Sequence, residues 1–191
     1  ATAVAKIPEV AEPAGLDPAY KLLIDKLRAA VAANPDDPRG LELLARNEAG
    51  LGQFAAAEAA QRKLIAVRGD AATGADHAAL AEIMVAAAGG YVSPEAEAEL
   101  TTALSLDPTD PLARYYAGLM FIQSGRYDRG FALWRDLLET GPQDAPWMEM
   151  LRAEIGDVAW RAGVDYAVPE ARGPPTGDIA ASAGLAVAVT G

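Results

Sequence analysis

Apolar residues recur along this chain at helical spacing, in segments that Pro, Gly and Asp separate. The first such segment, residues 17–34, carries one apolar stripe, made of Leu22, Leu23, Leu27, Ala30 and Val31. A helix with a single apolar stripe buries that stripe against another element. The segment therefore predicts an N-terminal helix that packs against the rest of the chain.

Helix-start signals precede several of these segments. An Asp-Pro pair occurs at Asp17-Pro18, Asp37-Pro38 and Asp110-Pro111, and Ser93-Pro94 is a related pair. The Asp or Ser side chain can accept hydrogen bonds from free backbone N–H groups, and Pro at the first helical position lacks the N–H that would go unpaired. The pairs predict that helices begin at these four prolines.

Large and small residues then alternate at the spacings of a helix-turn-helix repeat. The clearest copy contains Gly118, Phe121, Gly125, Tyr127, Gly130, Trp134, Leu137 and Pro142. Two further copies upstream give three predicted repeats, at 38–71, 77–110 and 111–144. The last two start 34 residues apart, and five extra residues after the first copy are assigned to a loop at 69–76.

The remaining segments flank the repeats. Residues 1–16 hold Pro8, Pro13 and Gly15 and predict a linker. Residues 145–163 predict a capping helix, since the last repeat of a stack needs a cover. Residues 164–191 predict a flexible C-terminal tail, because Pro and Gly interrupt their first half.

Composition agrees with an all-α fold. The 191 residues are 51% hydrophobic but only 6% aromatic, and Ala and Leu, which favour helices, dominate the apolar segments. A net charge of -11 argues against a nucleic-acid partner, because phosphates would be repelled. No apolar run approaches the ~18 residues that a membrane-spanning helix needs, so membrane attachment is expected only through a segment outside this chain.

No catalytic or metal-binding constellation is evident. The chain has no cysteine, its one imidazole is His77, and no Ser lies in a nucleophile-elbow sequence. Glu95, Glu97 and Glu99 lie two residues apart, which directs neighbours to different sides of a helix. The sequence therefore predicts a non-enzymatic binding protein without cofactor or metal.

The repeat residues resemble those of tetratricopeptide proteins over residues 38–144. Residues 89–155 more specifically resemble the repeat domain of the CcmI/CycH family of cytochrome c maturation proteins. The resemblance lies in short sequence motifs such as Ala113-Arg114-Tyr115-Tyr116 and Leu133-Trp134-Arg135-Asp136. This resemblance implies a right-handed superhelix of about three repeats. It also implies a membrane-anchored periplasmic chaperone that holds the C-terminal helix of apocytochrome c for the haem-ligation machinery.

In such a superhelix the first helix of each pair lines a concave groove. The groove positions of the three copies predict a peptide-binding site made of Arg39, Glu42, Arg46, Ala81, Val85, Leu112, Tyr115, Leu119 and Ile122. Core packing of Leu119 and Ile122, and an intrahelical pair of Glu42 and Arg46, are alternatives for those residues. An alternative function is a general tetratricopeptide scaffold module that assembles another envelope complex.

Overall fold

The computed structural model describes residues 17–169, so the predicted linker 1–16 and tail residues 170–191 lie outside the described residues. The described residues form α1 (Pro18–Ala33), α2 (Pro38–Gly50), α3 (Phe54–Arg68), α4 (Gly74–Ala87), α5 (Pro94–Leu106), α6 (Pro111–Gln123), α7 (Tyr127–Thr140) and α8 (Met148–Arg161). A short 3₁₀ helix, Gly69–Ala71, follows α3. These residues contain no strand, and the predicted all-α class is confirmed.

Four helices begin at the predicted prolines. Asp17, Asp37, Ser93 and Asp110 each accept a hydrogen bond from a backbone N–H of the first turn. The Asp110 carboxylate, for example, lies 2.8 Å from the amide nitrogen of Ala113. The side-chain caps thus fix the start of α1, α2, α5 and α6.

Helix α4 begins three residues earlier than the repeat spacing predicts. Thr73 accepts a hydrogen bond from the amide of Asp76, and the Asp76 carboxylate accepts one from the amide of Thr73 at 2.8 Å. This reciprocal capping box starts the helix at Gly74 rather than His77. The predicted loop at 69–76 is correspondingly shorter and contains the 3₁₀ turn.

The helices pack as successive pairs. Helices α2 and α3, α4 and α5, and α6 and α7 form the closest pairs, and α3 with α4, α5 with α6 and α7 with α8 join one pair to the next. Gly118 and Gly130 lie where α6 and α7 approach most closely, as their small size predicts. The buried apolar residues form three clusters along the stack, and Leu112, Tyr116 and Leu119 pack against two of them, as expected when each repeat packs on its neighbour.

The buried face of α1 differs from the predicted stripe. Ile24 and Val31 are buried and Leu27 is partly buried, whereas Leu22 and Leu23 are exposed. Ala30 is exposed as well. The difference arises because α1 contacts α2 along one side only, and that side also carries an ion pair of Arg28 with the buried Glu48.

The last helix covers the end of the stack. Leu151, Ile155 and Val158 of α8 pack in one cluster with Trp134 of α7. The chain then continues without regular secondary structure, and Tyr166 packs edge-on against Phe131 at 5.1 Å between ring centroids. Residues 164–169, which the sequence assigns to the tail, thus include a ring that packs on the apolar core.

Candidate functional site

A pocket of about 550 Å³ with both polar and apolar walls lies where α2, α3 and α4 meet. Its walls consist of Glu42, Ala45, Arg46, Ala49, Gln61, Arg68, Thr73, Ala75, Asp76, Ala79, Glu82 and Ile83. The volume lies in the range of sites that hold small molecules or large side chains. We call this site the α2–α4 pocket.

Arg68 joins the two helices that face each other across the pocket. Its guanidinium bonds to the carboxylate of Asp76 on α4 and lies 3.0 Å from the carboxylate of Glu42 on α2. The Gln61 side chain donates a hydrogen bond to the backbone carbonyl of Asp76 at 2.8 Å. The charge of Arg68 is therefore used in ion pairs within the protein and connects α3 to both α2 and α4.

Arg46 stands at the rim of the pocket. Its side chain is 73% exposed, and its one ionic partner among the residues that the structure describes is Glu42 at 3.4 Å, one helical turn earlier. An exposed pair of this kind contributes only about 0.3–0.5 kcal/mol to stability. The guanidinium therefore stays available for a ligand at low cost.

Glu82 lies deeper, on the side of the pocket that faces α6. The hydroxyl of Tyr116 donates a hydrogen bond to its carboxylate at 3.3 Å. Burial raises the pKa of Glu82 above its ordinary value, and the Tyr116 hydrogen bond offsets part of that increase. Among the residues that the structure describes, no Lys, Arg or His lies within ion-pair distance of this carboxylate.

Of the three predicted site residues on α2, two line the pocket and one does not. Glu42 and Arg46 are among the lining residues. Arg39 lies on the same helix but outside the pocket, exposed in the first turn where its amide is held by Asp37. Of the residues predicted to form the groove surface of α2, Glu42 and Arg46 therefore lie in the same pocket, and Arg39 lies outside it.

The predicted groove residues of α4 are buried. Ala81 and Val85 pack in the core with Leu100 of α5 and Ala113 of α6. Ala79 and Glu82 face the pocket instead, because the side of α4 that carries Ala81 and Val85 packs against α5 and α6. The prediction of Ala81 and Val85 as ligand contacts is therefore corrected.

Tyr115 of α6 is also inside the protein. Its ring stacks between Trp134 and Trp147, at centroid distances of 5.5 and 4.9 Å, and its hydroxyl lies 3.3 Å from the sulfur of Met150. The ring is 3% exposed, because α8 and the turn before it cover this part of α6. A ligand cannot reach Tyr115 unless α8 moves.

The other predicted residues of α6 are partly buried. Leu112 and Leu119 pack against two core clusters, and Ile122 fills the space beside Gly130. These contacts agree with the core-packing alternative for Leu119 and Ile122. The apolar groove that the sequence predicts across α4 and α6 is thus filled by the chain's own side chains.

His77 of α4 contacts Glu99 of α5. Its Nδ1 lies 2.7 Å from the Glu99 carboxylate, which Arg62 also approaches at 3.8 Å. Within residues 17–169, no group of three or more His, Asp or Glu side chains could hold a metal ion. In the same range, no helix has the length and apolar character needed to cross a membrane.

Comparison with known proteins adds an independent line of information. No known family profile matches the chain. It is 38% identical over 138 residues, 72% of the chain and 36% of the relative, to the cytochrome c-type biogenesis protein CycH of Rhizobium meliloti (strain 1021). The CycH protein of Bradyrhizobium diazoefficiens is 35% identical over 141 residues, 74% of the chain and 38% of the relative.

The chain therefore spans a little over a third of the length of the curated relatives it matches. The predicted resemblance to CcmI/CycH is confirmed by these two relatives. Over the residues they match, the chain is homologous to these CycH cytochrome c-type biogenesis proteins.

Proposed function

We propose that this domain binds apocytochrome c during cytochrome c biogenesis and holds it, without chemistry of its own, for the haem-ligation machinery. The proposal places the domain on the periplasmic side, where the longer protein would be anchored in the membrane. The names of the two relatives support the biogenesis role. Binding of the client's C-terminal helix is the finer part of the proposal.

The observation that carries the proposal is the α2–α4 pocket. It lies between the first helices of two successive pairs and opens next to the exposed Arg46. Its lining combines alanine side chains with ionic groups, as an amphipathic helix would require. The client is proposed to lie across Glu42, Arg46, Ala79 and Glu82, and not on the buried Ala81, Val85 and Tyr115.

A titration with apocytochrome c tests this function. The client's haem-binding cysteines are replaced by serine to prevent disulfides, and haem-loaded cytochrome serves as the comparison. The wild-type domain should bind the apo form and not the haem-loaded form. Arg46→Glu should weaken binding about tenfold, as expected for loss of a charged contact.

Arg39→Glu provides the matched control, because it makes the same charge change on the same helix outside the pocket. It should alter the affinity less than twofold. Equal weakening by both variants would indicate a nonspecific charge effect. Absence of any binding by the wild-type domain would contradict the proposed function.

A scaffold role in another envelope assembly is the second candidate. It is favoured by Trp160 on α8, whose side chain is 76% exposed, since exposed aromatic residues are enriched at protein interfaces. Trp160→Ser should release an assembly partner in a pull-down without changing apocytochrome affinity if this role exists. The α2–α4 pocket variants would then leave the partner bound.

A further inference from the structure

The charges that line the α2–α4 pocket do not balance. Its ionic side chains are three carboxylates, Glu42, Asp76 and Glu82, and two guanidiniums, Arg46 and Arg68. Arg68 bonds to both Glu42 and Asp76, and Arg46 approaches Glu42. The internal ion pairs therefore leave one carboxylate, that of Glu82, without a cation among the described residues.

The position of Glu82 makes this imbalance of charge costly. A partly buried carboxylate loses hydration, and a single tyrosine hydroxyl at 3.3 Å replaces only part of it. The raised pKa of Glu82 has the same cause. A bound cation would replace the missing solvation and would gain more from the pair than it would at an exposed surface.

About half of the wall surface of the pocket is apolar. Ala45 and Ala49 of α2, Ala79 of α4 and the buried Ile83 line the same pocket. Such walls suit the methylene stem of a long cationic side chain, which packs on apolar surface while its charged head reaches a polar partner. A pocket of about 550 Å³ has room for one such side chain together with water.

We propose that the α2–α4 pocket takes a lysine or arginine side chain of the bound client segment, and that the Glu82 carboxylate pairs with its charged head. This inference rests on the proposed function, because it names the client residue that the same site recognises. Tyr116 positions the Glu82 carboxylate through its hydrogen bond. Arg46 remains at the rim, where it can contact a carboxylate of the same client segment.

A double-mutant cycle between protein and client tests the pair. Client affinity is measured for wild-type protein and Glu82→Gln, each with apocytochrome c and with a client whose C-terminal-helix lysines and arginines are changed singly to glutamine. Glu82→Gln should weaken binding of the natural client about tenfold. At one client position the glutamine change should weaken binding to wild-type protein by a similar factor and have no further effect with Glu82→Gln.

Glu97→Gln is the matched control, since Glu97 is an exposed carboxylate on α5 that does not line the pocket. It should change the affinity less than twofold. Thermal unfolding followed by circular dichroism checks that both variants remain folded. Additive losses at every client position, or equal affinity of wild-type and Glu82→Gln proteins, would overturn the cation pairing while leaving the proposed function intact.

A second probe separates failure of the pairing from failure of the function. An alanine-based helical peptide with one central lysine is compared with the same peptide carrying glutamine there, using chemical-shift changes of the protein. Lysine-dependent shifts at the pocket that Glu82→Gln abolishes would support the pairing even if apocytochrome c does not bind. If apocytochrome c does not bind and neither peptide shifts the pocket, both proposals are wrong.

Discussion

The indole ring of Trp134 occupies the space that a side chain on Gly118 would need. The Trp134 N–H also donates a hydrogen bond to the backbone carbonyl of Tyr115 at 3.0 Å, one turn earlier on the same helix as Gly118. Trp134 is fully buried. The close approach of α6 and α7 therefore depends on the absence of a side chain at residue 118.

Gly118→Ala should destabilise the protein. The added methyl group would meet the Trp134 ring, and overpacking of a well-packed core costs about 1–3 kcal/mol. Gly50→Ala is the control, because no atom lies within 4 Å of the corresponding position at the end of α2. Chemical denaturation should show a lower free energy of unfolding for Gly118→Ala only. Equal stability of both variants would mean that α6 and α7 can separate without cost.

The start of α4 gives a second prediction. Thr73→Ala removes a capping side chain and should lower the free energy of unfolding by about 1 kcal/mol. Thr101→Ala is the control, since Thr101 lies inside α5 and bonds only the carbonyl of Glu97 one turn earlier. Its effect should be close to zero. A negligible effect of Thr73→Ala would argue against the capping box and against the start of α4 at Gly74.

The ion pair of Arg28 and Glu48 gives a third prediction. Arg28 Nε lies 2.7 Å and Nη2 lies 2.9 Å from the two carboxylate oxygens of Glu48, which is 1% exposed. Arg28→Met would leave that carboxylate without its guanidinium partner and should destabilise the protein by about 3 kcal/mol. Adding Glu48→Leu should restore much of the loss, because the buried charge is then removed as well.

Arg62→Met serves as the comparison for this pair. Arg62 is half exposed and pairs with Glu58 one turn away on α3 and, at 3.8 Å, with Glu99, so its loss should cost no more than about 1 kcal/mol. Urea denaturation of the three variants measures the differences. If the double variant is no more stable than Arg28→Met, the loss reflects packing of the Arg28 stem and not the buried charge.

Glu82 should make stability depend on pH. Because burial raises its pKa above the ordinary 4.5, the folded chain retains a proton that the unfolded chain has lost between pH 4.5 and that raised pKa. The free energy of unfolding contributed by this group therefore falls as pH rises through that window. The other charged groups that line the pocket are Glu42, Asp76, Arg46 and Arg68. They are the same in the wild-type protein and in the variants of Glu82 and Tyr116 compared below.

Glu82→Gln removes this contribution and should be more stable than wild type at neutral pH, with a difference that disappears below pH 4.5. Tyr116→Phe should enlarge the fall in the free energy of unfolding with rising pH, because it removes the hydrogen-bond donor that favours the charged Glu82 carboxylate. Denaturation at a series of pH values measures both effects. A constant difference across the range, or a less stable Glu82→Gln variant at neutral pH, would contradict the account.

Local signals in the sequence predicted much of the fold. The Asp-Pro and Ser-Pro pairs marked four helix starts, because capping involves residues that are neighbours in the chain. The spacing of Gly118, Gly130 and Trp134 likewise predicted the contact of α6 with α7. In both cases the physical cause lies within one helix pair.

The candidate site was less accessible to sequence analysis, for two physical reasons. The side of α4 that faces the pocket could not be predicted from spacing, because the apolar residues of α4 are spread around the helix. The repeat spacing predicts Tyr115 in the groove, whereas in the structure Trp147 and Met150 cover it. Both residues are distant from Tyr115 in sequence, so local spacing gives no sign of this burial. Periodicity alone cannot tell a groove from a surface that a later helix covers.

Obstruction of the α2–α4 pocket tests the central claim most directly. Apocytochrome c affinity is measured for Ala79→Trp, which places a large ring in the pocket, and for Ala86→Trp, an exposed position on the same helix outside it. The account predicts at least a tenfold loss for Ala79→Trp and little change for Ala86→Trp, with both variants folded. Undiminished binding by a folded Ala79→Trp variant would show that the client binds elsewhere.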